Sequence, residues 1–170
     1  MSKSSTLLTA LAFTLVATSL IAAEPKSDAA LARARKQAEM LDTLYKTAVV
    51  AVTQTYVKEE TDVAAATAFK GLFAVMKEKG YHEARLLDAT GAPYEETNAP
   101  QPGFETAAIK ALKNGAATHE EVTTIDGKRV LRIATPVPVV LEKCTMCHAH
   151  YAKAKPGEVI GALSYIIPIE

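Results

Sequence analysis

Small and apolar residues recur three and four apart at Leu31, Ala34, Ala38, Leu41, Leu44, Ala48 and Val52, which predicts one face of a long helix from about Asp28 to Val57. Charges at Arg33, Arg35, Lys36, Glu39 and Asp42 fall mostly off that stripe. Glu59 to Asp62 interrupts the pattern. A second helix then follows, marked by Ala65, Phe69, Leu72, Phe73 and Met76 and stopped at Gly80. Beyond Gly80 the period shortens. Tyr81 to Leu87 reads as a strand, Asp88-Ala89-Thr90-Gly91 as a turn, and a second short strand is expected near Tyr94. A loop over Asn98 to Gly103 leads into a short helix from Phe104 to Leu112, terminated at Asn114-Gly115. Glu120 to Ile125 and Lys128 to Pro136 flank Asp126-Gly127, the strongest hairpin signal in the chain. Leu141 to Ala154 is a helix or loop, and Val159 to Ile167 is the last strand. The order predicts an α+β domain whose antiparallel sheet is preceded by two N-terminal helices.

Met1 to Ala23 has the layout of a secretory signal peptide. Lys3 supplies the positive start, Leu7 to Ile21 is almost wholly apolar, and Ala22-Ala23 precedes the polar Glu24-Pro25-Lys26. An uncleaved anchor is the alternative, but the run is shorter than the roughly 20 residues that span a bilayer. Export to the periplasm with cleavage after Ala23 is therefore expected, with no membrane attachment thereafter. The remaining residues, 24–170, suit one domain. Loss of Lys3 leaves 18 basic against 19 acidic side chains. Such a balance carries no footprint for nucleic acid.

Two cysteines in an oxidising compartment would ordinarily be read as a disulfide. Here they are the chain's two cysteines, three apart, with a histidine directly after: Cys144-Thr145-Met146-Cys147-His148. That spacing fits covalent attachment of a c-type haem. Two thiols projecting from one turn can add to the two vinyl groups of a porphyrin, and the adjacent imidazole can serve as the proximal iron ligand. The competing chemistries lack support. A redox dithiol would need a thioredoxin-like βαβ context, a zinc site a second ligand pair, and a disulfide over so short a loop would add little.

With Asn98-Ala99-Pro100 before the helix at Phe104 to Leu112, Ala134-Thr135-Pro136 leading to Cys144 to His148, and the closing stretch Gly157 to Pro168, the chain resembles exported PAS-like domains with one c-type haem. Such domains occur alone or as sensing parts of histidine kinases and chemotaxis receptors. The resemblance implies a PAS-like sheet flanked by helices, Cys144 and Cys147 as thioether positions and His148 as proximal ligand. Many relatives have glycine after the motif histidine, where this chain has Ala149 and His150, and some carry an extra cysteine in the helix before the sheet.

The sixth iron ligand stays open. His150 is too close to His148 to cross the ring. His82 and His119 open predicted strands and are expected at the surface. Met76 shares an apolar face with Phe69 and Leu72 and is either core or a distal thioether ligand. Tyr45 and Tyr56 are further candidates for lining a pocket. Three functions compete: a haem-based sensor or accessory protein responding to redox state or a small gas, a periplasmic electron carrier with a redox partner protein, and a haem peroxidase. The last lacks an identifiable distal acid–base histidine, so the chain is not expected to be an enzyme. The chain ends at Glu170 without a kinase or receptor segment, which weakens direct signalling. A homodimer through the first helix remains open.

Overall fold

The computed structural model describes residues 28–59, 64–146 and 151–170. Helix α1 spans Ala29–Tyr56, and the carboxylate of Asp28 caps it by accepting from Leu31 N at 3.0 Å. Its buried residues are Ala34, Ala38, Leu41 and Tyr45. The expected stripe thus turns after Leu41: Leu44 is 58% exposed and Tyr45 takes the inward place. The larger ring buries more apolar surface, and its hydroxyl finds a partner inside.

Helix α2, Ala65–Glu78, buries Ala65 and Phe73, with Phe69 partly buried against the same cluster. Leu72, expected on that face, is 41% exposed. The face at i, i+4 and i+8 wins because it puts Phe69 and Phe73 around Tyr45. The helix closes as the pattern required. Gly80, at φ 73°, lets Gly80 N donate to Lys77 O and Tyr81 N to Met76 O, a Schellman ending.

Strands β1 (Glu83–Asp88), β2 (His119–Ile125), β3 (Lys128–Pro138) and β4 (Val159–Pro168) form one antiparallel sheet in the order β1-β4-β3-β2. The hairpin between β2 and β3 turns at Asp126 and Gly127, both at positive φ as a two-residue type I′ turn demands. The strand expected near Tyr94 does not form. The Asp88 carboxylate instead accepts from Thr90 N and Gly91 N and reverses the chain. A 3-10 turn at Glu96–Asn98 then lies beside β1, and Arg85 reaches across that edge to Thr97 O and Ala99 O. The sheet therefore holds one hairpin, and β1 takes the distant β4 as its partner.

The two faces of the sheet carry separate cores. Leu131, Ile133, Leu163, Tyr165 and Ile167 pack under α1 and α2. Leu87, Ala134 and Ala162 pack under Phe104, Ala108 and Leu112 of α3, Phe104–Lys113. Central β4 comes so close to β1 that a Cβ on Gly161 would stand 2.7 Å from Leu87 O.

Candidate functional site

At the top of the sheet the chain leaves β3 through an irregularity at Val137/Pro138 and is tied back by Val139 N to Glu158 O and Gly157 N to Val139 O. These two bonds close the neck of a segment that carries a one-turn helix α4, Lys143–Met146. Cys144 lies on it, half-buried, with a free thiol. Cys147, His148 and His150 lie outside the described residues, as does the leader expected over residues 1–23.

Two contacts position this segment. On one side Lys143 Nζ donates to Val57 O at 2.5 Å and to Gln54 O at 3.3 Å. The last carbonyls of a helix have no intrahelical donor and carry partial negative charge, so an ammonium there satisfies both needs. On the other side the Tyr151 hydroxyl donates to Asp88 Oδ1 at 3.2 Å. Burial first, and then the Asp88 carboxylate, push the Tyr151 phenol up to about 12. The described residues on either side of the motif are thus tied to the end of α1 and to the end of β1.

Alongside it, α1 runs past the sheet. Asp42 and Lys46 still reach Thr135 of β3. From Lys46 to Val57 the helix rises about 16 Å more at 1.5 Å per residue. Along that overhang lies Ala48-Val49-Val50-Ala51-Val52, and none of these residues is buried. Tyr56 is 74% exposed, and Val140, three residues before Lys143, is 55% exposed. A partly exposed apolar stretch near a thiol suits a flat apolar group held by that thiol.

The other sequence candidates scatter. Met76 sits in the last turn of α2, about 17 Å along the helix from Ala65 at the end that follows α1. It is half-buried, and its carbonyl serves the Schellman ending. His82 is not at the surface as expected: it is 3% exposed, with Nε2 2.9 Å from the Tyr45 hydroxyl. Burial holds its pKa below the ordinary imidazole value and raises that of Tyr45. His119 lies against the Phe104 ring at 5.2 Å between centroids. Tyr45 is in the core and Tyr56 is at the overhang. Lys143 and Tyr151 escaped the sequence reading. Tyr151, three residues after the motif histidine, offered a proximity signal; Lys143 offered none.

A groove of about 480 Å³ between α1 and the β2–β3 hairpin is lined by the Arg35–Glu120 and Lys46–Asp42 ion pairs, in which each charge already meets its opposite. Among the described residues no group of three or more His, Cys, Asp or Glu could hold a metal ion, and no helix is long and apolar enough to cross a membrane.

No curated protein matches the chain. The model of the Tll0287-like family matches residues 27–168, from the residue before the cap of α1 to the last residue of β4. That family is one of cytochrome-like haem domains rather than of enzymes. Its match takes in α1, α2, α3, the sheet and the segment with Cys144, so the chain belongs to the Tll0287-like family.

Proposed function

We propose that this chain is an exported, periplasmic protein whose residues 24–170 form a PAS-like domain carrying one haem c. Cys144 and Cys147 would form the thioethers and His148 would bind the iron. The observation that carries this reading is the half-buried free thiol of Cys144 on α4, anchored by Lys143 beside the partly exposed apolar stretch near the end of α1. Val49, Val52 and Tyr56 would cover the porphyrin, while Tyr151 and Lys143 hold the segment at its two ends. Bound there, the haem would supply a redox-active iron.

Sensing of redox state or of a small gas, as a free-standing or accessory haem protein, is favoured over electron transfer to a redox partner. Two observations favour it. Met76 sits toward the far end of α2, and the imidazole of His82 is committed to Tyr45. His82 could not serve as a sixth ligand without rearranging the core, and a weak or missing sixth ligand would leave room for a gas.

The test is chemical. Haem should stay with the denatured, reduced chain, because unfolding does not break thioethers, and Cys144→Ala with Cys147→Ala should abolish this. Haem extracted from the wild type by acid acetone would refute the assignment. Reduced-minus-oxidised spectra with and without carbon monoxide then separate an open iron, which binds the gas rapidly, from a six-coordinate carrier.

A further inference from the structure

We propose that Tyr45 and His82 form a proton-coupled redox site in the core, where a one-electron oxidant takes an electron from the Tyr45 phenol as its hydroxyl proton passes to His82 Nε2. The inference rests on these two residues and their surroundings, independently of the haem reading.

The pair is built from distant parts of the chain. Tyr45 faces inward from α1, and His82 enters just before β1, after the Schellman ending at Gly80. Both are nearly sealed, at 2% and 3% exposure, and the phenol oxygen stands 2.9 Å from Nε2. Phe73 meets the Tyr45 ring edge-on at 5.1 Å, Phe69 does so at 6.3 Å, and Tyr165 stacks on it at 6.5 Å with 8° between planes.

A phenol that loses an electron becomes a very strong acid, so its oxidation is eased when a base stands within hydrogen-bond reach. His82 is that base. Burial keeps its imidazole neutral near neutrality, and with the ring proton on Nδ1 the Nε2 lone pair accepts from Tyr45. In the step the Tyr45 O–H bond breaks and an N–H bond forms on His82. One electron leaves for the oxidant, which is reduced by one. A neutral phenoxyl radical and an imidazolium remain. Burial then acts twice. It keeps the radical from solutes and from other protein molecules, and it makes the imidazolium costly, which returns the proton when the radical is re-reduced.

Tyr165 is the weaker partner. Its hydroxyl donates to Asp42 Oδ1 at 3.1 Å, but that carboxylate also receives Thr135 and Lys46, so its lone pairs are already shared among several donors. The hole therefore rests on Tyr45. The physiological oxidant is of the class that peroxides generate, strong and taking one electron.

The experiment exposes the purified full-length protein to photogenerated ruthenium(III) tris-bipyridine, with persulfate as terminal acceptor, and follows the radical by EPR. The wild type should give a long-lived neutral tyrosyl signal that forms more slowly in deuterated water. Tyr45→Phe, which keeps the ring, should lose that long-lived signal, whereas Tyr165→Phe should keep it. His82→Gln retains an acceptor without the base and should lower the yield and remove the deuterium effect. A signal unchanged in Tyr45→Phe overturns the proposal. So does the absence of a long-lived radical in the wild type, or a radical lost only when the exposed Tyr56, Tyr81 and Tyr94 are all changed to Phe.

Discussion

Tyr151→Phe tests the idea that the motif segment is held to the sheet from outside the motif. The substitution keeps the ring and deletes one hydroxyl, which donates to Asp88 Oδ1 at 3.2 Å. Asp88 is 3% exposed but retains Thr90 N, Gly91 N and the Thr90 hydroxyl as donors. The loss near neutrality is therefore that of one charge-assisted bond with the acceptor still satisfied, about 1–2 kcal/mol. In a chain of this size that lowers Tm by about 2–4 °C per kcal/mol.

The pH dependence is the sharper readout. Folding raises the Tyr151 phenol to about 12 from its ordinary 10, so the protonated form is favoured in the folded state. A raised pKa gives stability that is whole below pH 10 and is lost as pH climbs through 12. Two pKa units at 1.36 kcal/mol each imply a loss of about 1 kcal/mol by pH 11 and about 2 kcal/mol by pH 12. Phenylalanine does not titrate. Tyr45 and Tyr165 are raised in both proteins and cancel in the difference. The gap between wild type and variant, measured by urea unfolding at a series of pH values, should close between pH 10 and 12 and then reverse. A gap independent of pH would refute the reasoning, because it would mean that the phenol is solvated.

Three further outcomes are expected, the first from the proposed haem attachment and the other two from the geometry. His148→Ala should retain covalent haem but lose the histidine-ligated spectrum, since attachment and ligation use different atoms; an unchanged spectrum assigns the iron to another residue. Met76→Ala should cost about 1–2 kcal/mol, less than a fully buried methionine, and leave the haem spectrum unchanged; a spectral shift on this change would restore the distal-ligand idea. Gly161→Ala should destabilise by about 1–3 kcal/mol in thermal unfolding, because its Cβ would press on the backbone of Leu87, where neither strand can yield alone.

What was legible in the chain was local. Asp126-Gly127 specifies its hairpin through the φ of two adjacent residues, and Gly80 stops α2 in the same way. Neither needs a distant partner. The strand expected near Tyr94 failed because pairing is decided elsewhere: β1 takes β4, more than seventy residues on, and Arg85 fills the edge that a neighbouring strand would have used. The choice of Tyr45 over Leu44 was hidden for a related reason. A hydroxyl enters a core only if a partner waits there, and His82 is 37 residues away. The Cys-x-x-Cys-His spacing on which the proposed thioethers rest is local too, since two thiols on one turn would reach one ligand together. Its anchors, Lys143 and Tyr151, make contacts 86 and 63 residues distant, beyond any periodicity.

The division between core and site has a consequence for how the chemistry can be tested. Both apolar clusters are assembled from α1, α2, α3 and the sheet, and among the described residues neither includes one from 138 to 158. The segment with Cys144 hangs from the finished sheet by the Val139–Glu158 and Val139–Gly157 bonds, by Lys143 and by Tyr151. On the proposed reading the sheet and its two cores would therefore close without the haem, and the cost of its absence would fall on the overhang of α1 and on the segment itself. It follows that the variant with both Cys144 and Cys147 changed to Ala should keep the circular dichroism of the folded wild type while carrying no covalent haem. Its loss of haem can then be read as the loss of two sulfur–carbon bonds. Collapse of the helical signal in that variant would instead show that the cofactor is part of the core.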